Sequence, residues 1–193
     1  MLKAIGIISG LLALISYIPY TKDILAKNVK PERASWLIWC VLAGIAFFSQ
    51  LSKGATQSLW FTGLDSIGAF VIFGLAIRFG LGGIRKRDTL ALIVAGLGLI
   101  VWYFTNNALY ALIIAMCIDA IGAGLTAWKT YEHPDTETYT MWVLVCIASL
   151  LAIGSIGKFN ATLAIYPFYI FVANAVVVIA IYLGHKSKKK DRL

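Results

Sequence analysis

Few side chains in this sequence can do chemistry away from its polar stretches, and those few lie deep in apolar runs. Asp119 stands about eleven residues into a run of about 23 that opens near Ala108. At about 1.5 Å per residue it lies roughly 17 Å from either end, too deep for a short side chain to reach interfacial water. An aspartate at the centre of a membrane helix costs about 2.5–3.5 kcal/mol on insertion. Stability alone gives no reason to keep it, and proton or cation coupling is the chemistry such an acid suits. Asp65 lies in the outer part of another apolar run, and Asn174 near the middle of the last one. An amide there needs a partner. Ser16 and Thr126 complete the set of polar residues expected to bind a solute or coupling ion.

Ser16 enters through an internal repeat. At an offset of 103, Ile15 meets Ile118, Ile18 meets Ile121, Pro31 meets Pro134, Glu32 meets Asp135, Ser35 meets Thr138, Trp36 meets Tyr139 and Trp39 meets Trp142. The offset sets Ser16 against Asp119, so the two are expected at one level, with Asn174 at similar depth. Each copy holds the end of one apolar segment, a charged turn with a proline, and the aromatic start of the next segment. Trp39, Trp142 and Tyr166 are candidate ring surfaces for a solute. The tryptophans, with Trp36 and Tyr139, also stand where an interfacial aromatic belt would lie. Tyr166-Pro167-Phe168-Tyr169 is a further candidate kink.

These residues need long apolar elements to hold them. The chain has 193 residues, 60% hydrophobic and 13% charged, with a mean hydropathy of +0.83, which predicts an integral membrane protein. Seven runs have near-spanning length: Ala4–Tyr20, Ser35–Leu51, Leu59–Phe79, Thr89–Phe104, Ala108–Thr130, Tyr139–Ile156 and Leu163–Gly184. They lack period-2 alternation, so the predicted fold is all-α, with seven transmembrane helices. Lys53 and Lys158 extend the repeat at an offset of 105. The expected plan is a three-helix bundle over 1–80, a linker helix over 81–105, a second parallel bundle over 106–184 and a basic cytoplasmic tail over 185–193.

The net charge of +8 does not imply nucleic acid, because the basic residues sit beside helix ends. Seven crossings put Lys3, Lys53 and Lys158 on one face. The other receives Lys22, Lys27, Lys30, Arg33, Arg78, Arg85, Lys86, Arg87, Lys129, Lys186, Lys188, Lys189, Lys190 and Arg192. The positive face stays cytoplasmic, which predicts an external N-terminus and a cytoplasmic C-terminus, in a plasma (inner) membrane. The tail reads as a solvated topology signal. Cys40, Cys117 and Cys146 fall inside apolar runs and imply packing rather than a disulfide framework. His133 and His185 have no cysteine or carboxylate at metal spacing, and no nucleophile elbow or phosphate loop is visible. Neither an enzyme nor a cofactor or metal site is expected.

Seven helices in a three-one-three parallel plan, with Pro19-Tyr20 near the cytoplasmic end of the first, resemble the PQ-loop superfamily, which includes the SWEET sugar transporters and the KDEL receptor. Gly122-Ala123 stands at the equivalent place in the second copy, so the name-giving dipeptide is half present once and absent once. The resemblance implies a cavity between the bundles and hinges at Pro19 and at Gly122 and Gly124. It also implies solute contact at Asn174, with Gly68 as the counterpart on the third helix. The alternative for Pro19 is that it ends the first helix. The expected function is small-solute transport by alternating access, with the lipid bilayer and a small polar solute as partners. A receptor or scaffold of the same fold is the alternative, and an oligomer is compatible with either.

Overall fold

The computed structural model describes residues 1–29, 31, 33–80, 86–105, 107–157 and 161–190. Lys30, Glu32, Arg85, Lys158 and Arg192, and the side chains of Ser35, Arg87, Ile121, Lys129 and Lys190, lie outside the described residues. Among the described residues there is helix and no strand. The elements are α1 (Leu2–Leu25), α2 (Arg33–Ser52), α3 (Leu59–Phe79), α4 (Lys86–Thr105), α5 (Ala108–Glu132), α6 (Tyr139–Gly154) and α7 (Ala161–Lys190). One 3₁₀ turn, Pro134–Thr136, links α5 to α6.

Among the described residues, four helices are long and apolar enough to cross a membrane: α1, α3, Leu112–Glu132 within α5 and Leu163–Lys189 within α7. Trp36–Ser52 and Tyr139–Gly154 are shorter apolar helices. The class is all-helical, and its surface is inverted relative to a protein that folds in water. On α1 the buried face holds Gly6, Ser9, Gly10, Ala13, Ser16, Tyr17, Tyr20 and Ile24, while Ile8, Leu11, Ile15 and Ile18 point outward. Ile67, Phe70 and Ile77 of α3 and Phe168, Val172, Val176 and Ile179 of α7 are likewise exposed. Small and polar residues inside with branched and aromatic ones outside suit lipid, where close backbone approach replaces hydrophobic burial as the main packing force.

That approach is visible at named positions. A Cβ on Gly10 would meet the Trp60 carbonyl at 2.3 Å, and one on Gly68 would meet the Tyr17 ring at 2.2 Å. The Ser9 hydroxyl donates to the Ala148 carbonyl across α1 and α6 at 2.6 Å. α1 packs against α3 and α6, α2 against α3 and α5, and α7 against α5 and α6, with α4 lying mainly on α5.

Several helices run past their predicted ends, α1 and α7 the furthest. α1 continues past Pro19 to Leu25, so Pro19 does not end it. The ring costs one intrahelical bond and crowds the preceding turn without stopping the helix. α7 likewise continues past Gly184 to Lys190, so the basic stretch is an added helical turn rather than a loose tail. His185 Nε2 lies 3.1 Å and Lys188 Nζ 3.7 Å from the Asp135 carboxylate of the 3₁₀ turn.

Candidate functional site

Two tyrosine–aspartate pairs lie inside the helical bundle. The Tyr17 hydroxyl on α1 donates to Asp65 Oδ1 on α3 at 2.8 Å. The Tyr169 hydroxyl on α7 donates to Asp119 Oδ2 on α5 at 2.5 Å. A phenol facing a carboxylate is short and strong because the acceptor carries charge. Tyr17 reaches Asp65 because the missing side chain at Gly68, almost one turn along α3, leaves room for its ring. Asp65 is 8% exposed. Asp119 is half-buried, and the Trp39 indole of α2 stands beside α5 at Gly122, almost one turn along from it.

The pairs share one interior. Asp65 and Asp119 lie within electrostatic range of each other, and Tyr166 lies within range of both. A wall of rings runs between the two acids. Tyr17 meets Trp36 edge-on at 6.3 Å, Tyr20 meets Trp36 at 5.4 Å, and Trp36 meets Trp39 edge-on at 4.9 Å. Toward the Gln57 end of the bundle, Ala13, Ala46, Phe61, Leu112, Ala148, Ala152 and Tyr166 form one apolar cluster to which six helices contribute. The acids thus lie between an aromatic wall and an apolar layer.

The other residues singled out in the sequence are distributed differently. Asn174 is buried, and its amide donates to the Ile170 carbonyl of its own helix at 2.7 Å. Ser16, fully buried, donates to Ala13 O at 2.6 Å, and Thr126 to Gly122 O at 3.0 Å. All three give these bonds to their own helix backbone rather than to Asp119. Gly122 lies beside the Trp39 indole, whose Nε1 would be 3.8 Å from a Cβ there, whereas Gly124 has open space around it. Trp36 is 4% exposed, an interior residue and not part of an interfacial belt. Trp39 is half-buried and packs in the interior. Trp142 packs with Ala127, Val177 and Ile181, in a different cluster from the acids.

Sequence reasoning missed Tyr17 as a site residue and named Tyr169 only as part of a kink. The available signal was a phenol at membrane depth, which needs an acceptor as surely as an acid needs a donor. It also passed over Gln50, whose amide is buried without a hydrogen-bond partner among the described residues. No group of His, Cys, Asp and Glu that would hold a metal ion occurs among the described residues. No protein-family model matches the chain, and neither a curated protein nor a solved structure matches it.

Proposed function

We propose that the chain is a small-solute membrane transporter that works by alternating access between an α1–α3 bundle and an α5–α7 bundle, with α4 as the linker. The observation that carries this reading is the pair of tyrosine–aspartate contacts, one within each triplet, whose acids share one interior. Buried acids in membrane helices mark solute and proton pathways more often than they brace a fold. The packing supports the plan of two repeats. α3 touches both α1 and α2 as α7 touches both α5 and α6, and α1 meets α6 as α2 meets α5. Exchanging the triplets leaves that pattern unchanged.

Asp119 accepts from Tyr169 of its own triplet, and Trp39 of the other stands beside the same helix at Gly122. It is therefore the acid at the seam, where movement between bundles would change its surroundings, and we assign proton coupling to it. Seven crossings, an external N-terminus, a cytoplasmic C-terminus and hinges at Pro19, Gly122 and Gly124 belong to the same proposal, as does the PQ-loop resemblance. The test is uptake by proteoliposomes from a defined mixture of sugars, amino acids and vitamins, read by mass spectrometry with and without a pH gradient. Gradient-dependent accumulation of one class, lost in Asp119→Asn, supports the proposal. Absence of uptake by protein that remains folded in the vesicles favours a receptor or scaffold instead.

A further inference from the structure

Gln50 is 1% exposed, and neither its Nε2 nor its Oε1 has a hydrogen-bond partner among the described residues. Its backbone is well placed, with the carbonyl accepting from the Lys53 and Ala55 amides where α2 ends. The side chain alone is unsatisfied. A buried amide without partners is destabilising, and in lipid no water relieves it. The contrast with the second half of the chain is direct. Ser155, which stands at the offset of 105 that relates Lys53 to Lys158, is fully buried and donates to the Ala152 carbonyl at 2.7 Å. Glutamine at position 50 has no such local outlet.

Its place in the fold says what it faces. Trp39, Ala43, Ala46 and Gln50 recur at three- and four-residue steps and form one stripe of α2. Trp39 stands beside α5 at Gly122, and Ala46 packs with Phe61, Leu112 and Tyr166. Gln50 follows Ala46 by one turn toward the end of α2, so it lies at the rim of the apolar layer that closes the Gln57 end of the interior. In this conformation the amide is shut away. Parting of the two triplets at that end, α2 from α5, would open the layer it borders.

From this we infer that Gln50 is a solute-recognition residue at the mouth of the interior, and that the solute presents a coplanar donor and acceptor such as a primary carboxamide or a lactam edge. Both atoms of the amide are bare, so the matching group must give a hydrogen and take one side by side. Glutamine makes that bidentate pairing with planar amide-like edges. A lone hydroxyl places donor and acceptor on a single atom and fits less well. The inference rests on the part of the alternating-access reading in which the two triplets open at this end, because a binding-competent amide requires it.

The test uses the full chain purified in lipid nanodiscs, with nicotinamide, uracil and xylitol as probes and thermal unfolding as the readout. Without probe, Gln50→Met is expected to melt higher than the wild type by roughly 2–8 °C, because it removes an unpaired buried amide. With probe, nicotinamide or uracil is expected to raise the wild-type melting temperature saturably, with a half-saturating concentration at least tenfold higher in Gln50→Met. Gln50→Leu repeats both measurements should the methionine variant pack poorly. A lower melting temperature in both variants would show that the amide is structurally partnered and would overturn the inference. So would saturable shifts by xylitol alone, shifts equal in wild type and variants, or no shift by any probe. Proteoliposome uptake separates the two proposals. Nicotinamide or uracil bound through Gln50 but never carried removes the transport reading and keeps the recognition residue. Either compound carried with an unchanged KM in Gln50→Met removes the recognition residue and keeps transport.

Discussion

The Tyr17–Asp65 and Tyr169–Asp119 contacts are made of the same groups with their places exchanged. In the first triplet the phenol is on α1 and the acid on α3; in the second the acid is on α5 and the phenol on α7. Their surroundings differ more than their chemistry. Asp65 is 8% exposed and accepts from a ring seated over Gly68 of its own helix. Asp119 is half-buried, accepts from α7, and has the Trp39 indole of α2 near its own helix at Gly122. A carboxyl held by one buried phenol over a bed without a side chain has one geometry open to it. A carboxyl at a helix that packs on the other triplet would change surroundings if the two moved apart. In the proposed cycle the first pair would be the brace, and the second the moving part.

The strongest blow to this comparison comes through Gly68. Gly68→Leu drives the Tyr17 ring off its seat and leaves Asp65 without its donor, combining overpacking of about 1–3 kcal/mol with an unmet buried acceptor of about 1–3 kcal/mol. A fall in melting temperature of roughly 4–24 °C is expected at about 2–4 °C per kcal/mol. An unchanged melting temperature would mean that the ring has another seat and that the first pair is no brace.

Removing single hydroxyls sharpens the contrast. Tyr17→Phe is expected to cost about 1–3 kcal/mol, measured by chemical denaturation in micelles. Tyr169→Phe is expected to cost about half of that or less, because Asp119 is only half-buried. Equal losses would put both pairs in the same class. A third variant separates mechanics from stability. Pro19→Ala restores a helical hydrogen bond in α1, so the melting temperature should hold or rise while turnover slows. Unchanged turnover would deny Pro19 any part in bundle movement. The smallest effect is expected at the 3₁₀ turn. Asp135 is mostly exposed, so Asp135→Ala should change stability by no more than about 0.5 kcal/mol.

The sequence made the helices that carry the acids legible and left their partners hidden, for physical reasons. Hydropathy locates a charge along an apolar run, so counting placed Asp65 and Asp119 inside helices but did not show that Asp65 would be the more buried of the two. Partner choice depends on helix rotation, which apolar sequence constrains weakly because both faces are hydrophobic. The repeat offset directed attention to Ser16, whereas the residue that engages an acid is its neighbour Tyr17. α3 spans Leu59–Phe79, as the sequence predicts. α1 ran past its predicted end because a proline near a helix terminus weakens one turn without cancelling the bonds that follow. Gln50 was overlooked because a polar residue two positions before a helix end looks like a solvated boundary, and only packing shows it buried.

The most direct test compares Asp119→Asn with Asp65→Asn in proteoliposomes, with solute uptake followed across external pH and melting temperature measured on the same preparations. The account predicts that Asp119→Asn remains folded and carries solute at a rate independent of pH, whereas Asp65→Asn melts lower but keeps the wild-type pH dependence. Normal pH dependence in Asp119→Asn, with its loss in Asp65→Asn, would contradict the assignment of Asp119 as the coupling acid and exchange the roles of the two pairs.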